Sequence, residues 1–263
     1  MESIDRQTSR AARWGLGLTL LAAALAGLSG PLYRMKLLAL FPAFGLLRWA
    51  VYAAIVGAVI CLIALVIALL RRTRAGGGPQ GAGAAALGVL VGLVVFYVPY
   101  SVRAGNYPPI HDVTTDTDDP PAFVAALAPR SASGATNSPG YERIVKSPRG
   151  GPDLNVPELQ KKAFPDIGPV RLAVAPAQAF EQALRAVSAM GWTLIDQDAT
   201  EGRIEASDTT TWFGFVDDVV VRVRPDEGGS RIDVRSVSRI GFGDVGKNAK
   251  RIRAYVAKLT AAS

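Results

Sequence analysis

Residues 212–253 read WFGFVDDVVVRVRPDEGGSRIDVRSVSRIGFGDVGKNAKRIR, and two alternating runs around a turn decide the fold of the chain. From Phe213 to Val223 the odd positions Phe213, Phe215, Val219, Val221 and Val223 are apolar, interrupted by Asp217, while Asp218, Arg222 and Arg224 take even ones. From Arg231 to Ile240, Ile232, Val234 and Ile240 share a face with Ser236 and Ser238, opposite Arg231, Asp233, Arg235 and Arg239. The PDEGGS between them is a turn sequence, so the runs predict an antiparallel hairpin. Placing Arg224 opposite Arg231 sets Val223 against Ile232, Val221 against Val234 and Arg222 against Asp233. Apolar and charge patterns then agree on one register.

The neighbouring residues extend this hairpin into a domain. Val170 to Val174 reads as a strand, and Pro176 opens a helix with Phe180, Leu184 and Val187 on one stripe and Gly191 as its C-terminal cap. Trp192, Leu194 and Asp196 alternate with Thr193 and Ile195, and DATEG turns the chain into GRIEA, a second hairpin. Downstream, Asp244 is an N-cap for a helix that buries Val245, Ala249, Ile252, Val256 and Leu259. The order strand, helix, four strands, helix predicts a two-layer α+β domain over residues 169–263, with both helices on the apolar face of an antiparallel sheet. That length can bury one core without disulfides. Cys61, the only cysteine, lies far upstream in an apolar run and can neither staple this domain nor act as its nucleophile.

Residues 1–103 read as a membrane anchor with three spans, at about 14–30, 49–70 and 84–102. Trp49 to Leu70 is uncharged and reaches about 33 Å as a helix, enough for a hydrocarbon core of about 30 Å. The first span follows Arg6, Arg10 and Arg13 and reads as an uncleaved helix, although cleavage after Ser29 would also fit a signal sequence. Arg71, Arg72 and Arg74 occupy the short loop before the third span, so that loop and the N-terminus belong in the cytoplasm and the C-terminal domain outside it, an orientation that the family resemblance given below would set at a bacterial inner membrane. Arg34, Lys36 and Arg48 argue the other way, but their loop contains LLALFPAFGLL and is expected to lie in the interface. Ala53 with Gly57, and Ala84, Gly88 and Gly92, are small-residue steps suited to helix packing within the chain.

Residues 104–168 are rich in Pro, Gly, Ser and Thr without a period and read as an extended arm. Its HDVTTDTDDPPAF has the acidic density of a calcium loop but lacks the central Gly and closing Glu, so no metal is expected. His111, the only histidine, reads as an ordinary loop residue. Residues 1–103 hold 10 Lys or Arg against 2 acids, and residues 104–263 hold 19 against 20. The net charge of +7 therefore belongs to the membrane flanks, which excludes a nucleic-acid partner.

The HDVTTDTDDPPAF arm, FPDIGPVRL, GRIEA, FVDDVVVRV and above all RSVSRIGFGDVGKNAKRI resemble the family called domain of unknown function 1499, over roughly residues 108–259. Where that family commonly has Ser before the Asp matching Asp244, this chain has Gly243. The resemblance implies the same fold and a bacterial or plastid envelope setting, and carries over no catalytic residue.

Gly241, Gly243 and Gly246 spell GxGxxG at a helix start, but no parallel strand or ribose-binding acid follows, so neither a dinucleotide nor another cofactor is expected. The arginines of the hairpin have two readings. They pair with Asp218 and Asp233 as an exposed ladder, or Arg235 and Arg239 join Gly241, Gly243, Asp244 and Asn248 around an anionic ligand. The whole chain then reads as a membrane protein presenting a non-catalytic, periplasmic binding module for an anionic small molecule, a membrane lipid or another membrane protein. The alternative is an envelope hydrolase or transferase. It lacks catalytic residues, because Asp217 and Asp218 point to opposite faces of a strand.

Overall fold

A computed structural model describes residues 2–70, 107–147 and 150–261, so the third apolar segment and Arg71, Arg72 and Arg74 lie outside the described residues. The chain divides into two compact units, residues 1–102 with 212–214 and residues 103–211 with 215–263.

In the first unit, helices α1 (Glu2–Arg34) and α2 (Leu40–Leu70) each contain a stretch with the length and composition of a membrane span, Arg10–Arg34 and Leu40–Ile67. The second helix starts at Leu40 rather than Trp49, so most of the stretch expected to lie in the interface is helical. Pro42 is tolerated because it falls in the first turn, where no helical hydrogen bond is lost. Small residues line the seam. Ala22, Ala26, Ala50 and Ala54 are buried together, and a Cβ added to Gly57 would stand 2.3 Å from the Thr19 hydroxyl and 2.6 Å from the Gly15 carbonyl. Gly57 thus serves packing within the chain, as its spacing suggested, while Trp14, Leu21, Trp49, Ile55 and Leu62 remain exposed, which suits lipid. Phe213, expected in the hairpin, falls in this unit, buried against the rings of Tyr33 and Phe44.

The second unit contains β1 (Asp112–Thr114), α3 (Leu127–Ala132), β2 (Ile144–Val145), β3 (Leu154–Asn155), α4 (Val156–Ala163), β4 (Val170–Leu172), α5 (Pro176–Ala189), β5 (Thr193–Asp198), β6 (Arg203–Thr209), β7 (Val216–Asp226), β8 (Gly229–Ser238) and α6 (Lys247–Ala261). Among the described residues, six strands form one antiparallel sheet in the order β1-β8-β7-β6-β5, with β4 also on β8. The hairpin register is the one its residues dictate: Arg224 faces Arg231, Val223 faces Ile232, Arg222 faces Asp233 and Val221 faces Val234. Gly202, at φ 63°, makes the β5–β6 turn possible, because a Cβ there would lie 2.1 Å from the Val223 carbonyl oxygen.

One sheet face is apolar and covered by helices. Ile204, Ala206, Val219, Val221, Ile232 and Val234 pack under Phe180, Ala183 and Val187 of α5 and Ala249, Ile252 and Leu259 of α6. Trp192 stacks on Tyr255 at 5.4 Å, and the buried Tyr255 hydroxyl donates to the Ala183 carbonyl. Helix α6 begins at Lys247, three residues past Asp244, because Val245 and Gly246 both take positive φ, and Val245 stays outside the core.

The opposite face is covered by residues that precede β4. Residues 107–141 are not an appended arm: β1 pairs with β8, Val113 and Ile110 join the main core, and Phe123 and Ala126 pack on Val220 and Val237. The described residues from 107 onward thus pack with the sheet, which is covered on both faces. This layer shows no apolar period because polar groups attach it. Buried Glu205 on β6 accepts hydrogen bonds from the successive backbone N–H groups of Val124, Ala125 and Ala126 at 2.8, 3.1 and 2.8 Å.

Candidate functional site

The side chains singled out from the sequence are divided by the sheet. Arg235 and Arg239 project toward the coil layer. Asp244 and Asn248 belong to the helix side, where the Asn248 side chain meets Ser236, Ser238 and Arg251 and Asp244 caps the Asn248 N–H.

On the coil side, Asp218 is fully buried and takes two arginines. Arg239 grips it through Nε and Nη2 at 2.9 and 2.7 Å, and Arg130 of α3 approaches at 2.6 Å. The remaining Arg239 donor, Nη1, meets the Pro129 carbonyl and the Ser133 hydroxyl. Arg235 forms a fork with Asp112 at 3.0 and 2.7 Å, donates to the Pro121 and Pro139 carbonyls, and lies over the rings of Phe123 and Tyr141. Both guanidinium groups are thus taken up by internal acceptors, and the arginines bind the coil layer to the sheet. The ladder reading holds for Arg222 with Asp233 and for Arg239 with Asp218, but Arg235 pairs with Asp112 instead, and the carboxylates of Asp218 and Asp233 are buried rather than exposed. Arg222, Arg224 and Arg231 converge on buried Asp233 at 3.0, 3.2 and 2.9 Å, which makes the facing arginines at 224 and 231 tolerable. Asp116 of the coil layer adds a second carboxylate against Arg231.

On the helix side, Arg251 is the centre. Its guanidinium joins Asp208 at 2.8 Å, Asp217 at 2.6 Å and the Ser236 hydroxyl at 3.2 Å. Asn248 accepts from Ser236 and donates to Ser238 and to the His111 carbonyl. Asp244 accepts from the backbone N–H groups of Gly246 and Asn248 at 2.8 and 2.7 Å, so its own carboxylate occupies the donors that an external anion would need. Burial pushes the Asp244 carboxyl up to about 6, aided by nearby Asp217 and opposed by those two N–H groups and Arg251.

Gly241 and Gly243 are exposed in the loop between β8 and α6, with the Gly241 carbonyl held by Asn137 at 2.9 Å. Half-buried His111 lines a small crevice with Asp112 and Glu142, and burial lowers its pKa. Among the described residues no group of three or more His, Cys, Asp or Glu side chains is arranged to hold a metal. Sequence reasoning missed Asp112, Arg130, Asp208 and Arg251. Only Arg251 carried a signal, one turn beyond Asn248 on the same helix face.

The geometry defines a class: an α+β domain with a sheet covered by helices on one face and by an ion-paired coil layer on the other, in a chain that also carries two helices with the character of membrane spans. The chain belongs to the DUF1499 family, described as a protein of unknown function, whose profile matches residues 112–259. That match starts on the first residue of β1 and ends on the last core residue of α6, so it includes the coil layer. No curated protein matches the sequence.

Proposed function

We propose that the chain is a membrane-anchored, non-catalytic binding module whose folded domain lies outside the cytoplasm. One observation carries the reading: the charged clusters of the domain close on themselves as arginine–aspartate pairs, an arrangement that makes a rigid scaffold rather than a reactive site. The expected ligands are an anionic small molecule, a membrane lipid or another membrane protein. Among the described residues Asp244 is the group that favours an envelope hydrolase or transferase, since a carboxyl near 6 suits proton transfer. Both of its oxygens are already held by backbone N–H groups, and the neighbouring carboxylate, Asp217, is taken up by Arg251.

The full chain, purified in detergent and incubated with a total lipid and metabolite extract, is expected to retain an unaltered compound detectable by mass spectrometry. Turnover of a component of the extract would establish the enzyme reading instead. For the compartment, support comes from the arginines at 6, 10 and 13 and at 71, 72 and 74. A reporter that fluoresces only in the cytoplasm, fused after Ser263, is expected to stay dark in a bacterial host, and a bright fusion would place the domain inside.

A further inference from the structure

The loop from Ile240 to Gly246 presents Phe242 to solvent with two thirds of its surface exposed, 67%. A lone exposed apolar side chain is ordinary on a protein surface and by itself signifies nothing. Here the loop is pinned on both sides of that residue. Asn137 donates to the Ser238 and Gly241 carbonyls at 2.9 Å each, the Asp244 N–H donates to the Ile110 carbonyl, and the Asp244 carboxylate ties the loop to α6. Gly243 lies against Pro109, where a Cβ would come within 3.2 Å. Gly246 lies so close to the Tyr107 ring that a Cβ would come within 2.4 Å of it. The backbone on either side of Phe242 is thus held in place, and the same loop lies against Tyr107 and Pro109, both of them exposed. The next exposed side chains along α6 are Lys247 and Lys250.

An exposed aromatic side chain in a pinned loop that lies against apolar residues, followed by exposed lysines in the first turn of the next helix, matches the two requirements of a bilayer surface: an apolar group for the acyl boundary and cations for anionic headgroups. The attraction of one ring and two lysines is weak for a free domain. It suffices for a domain covalently tethered to spans, because the tether raises the effective concentration of membrane at the loop. We propose that the Ile240–Gly246 loop is a membrane-surface contact, with Phe242 entering the interface and Lys247 and Lys250 facing anionic headgroups. This deepens the module reading and rests on it, by naming a lipid surface as the occupant of one face.

The test uses the full chain reconstituted in vesicles of phosphatidylcholine alone or mixed with phosphatidylglycerol. Phe242→Trp adds one indole to the four tryptophans of the chain, and its contribution is the difference from wild type. In the mixed vesicles the added indole is expected to be quenched by lipids brominated near the glycerol end of the acyl chain and protected from aqueous acrylamide. The protection should diminish several-fold in pure phosphatidylcholine, and Lys247→Glu with Lys250→Glu should remove it in both. An indole that acrylamide reaches in both vesicles overturns the proposal. So does one shielded from acrylamide without bromolipid quenching, which would signal a protein partner. In either case, ligand retention in the extract experiment would leave the binding-module reading standing.

Discussion

Asp218→Ala is expected to cost the domain about 3–5 kcal/mol, among the largest effects of any single substitution, because it strands two buried guanidinium groups at once. The loss follows from asymmetry: a buried pair adds little over an apolar pair of the same shape, but removing one partner leaves the other charged, desolvated and without its acceptor. Hydrogen exchange of the β7 and β8 amides in the full chain measures it, and about 4 kcal/mol corresponds to nearly a thousandfold loss of protection. Asp119→Ala is the control. Asp119 also meets two arginines, at 2.8 and 3.2 Å, but its side chain is 63% exposed, and its loss should cost less than about 1 kcal/mol. Equal effects of the two substitutions would refute the burial argument. Phosphate added to the wild-type chain should leave the protection at β7 and β8 unchanged, since the donors of Arg235 and Arg239 are occupied.

The second large effect is a pH dependence with an unusual sign. The Asp244 carboxyl is raised from 3.8 in the unfolded chain to about 6 in the fold, so its contribution to stability is complete below 3.8 and is lost as pH rises through 6. Two units correspond to about 3 kcal/mol at most, gained on acidification from pH 7 toward 4. Asp244→Asn retains an acceptor for the α6 N-terminus but has nothing to titrate. The difference between wild type and Asp244→Asn in β8 protection should therefore shift in favour of wild type as pH falls from 7 to 4. His111, whose pKa is lowered by burial, opposes this trend in both proteins and cancels in the difference. Below about 4 both proteins should weaken together, because Asp119, held low by Arg224, and Asp166, held low by Arg253, lose their partners on protonation. Parallel curves for the two proteins would show that Asp244 is ionised throughout.

The hairpin was legible in the sequence because two independent patterns, apolar period and charge, agree on one register. Helix α5 was legible because Pro176, the Phe180 stripe and Gly191 mark its beginning, face and end. The coil layer was not. Its attachment runs through Glu205 to three backbone N–H groups about eighty residues earlier in the chain, and through Asp112 to Arg235, 123 residues apart. Nothing local at either end of such a pair reveals the other, so Arg235 and Arg239 looked free to bind an anion. Asp244 was recognisable as a cap from its place before a helix, but the raised carboxyl depends on burial and on Asp217, which period alone does not show.

Strand β8 carries a consequence for how the chain reaches its native state. It is the penultimate of the described elements, yet β1, β4 and β7 all pair with it, and Asp112 and the N–H groups of Val124, Ala125 and Ala126 precede their partners, Arg235 and Glu205, by long intervening segments. A chain made from its N-terminus has therefore synthesised the whole coil layer before the strand that receives it exists. Such late, non-local closure makes for slow folding and a long exposure of the unfinished intermediate. The layer carries its own hazard during that wait: the apolar run PPAFVAALAP at 120–129 stays uncovered until Val220 of β7 and Val237 of β8 arrive to receive Phe123 and Ala126.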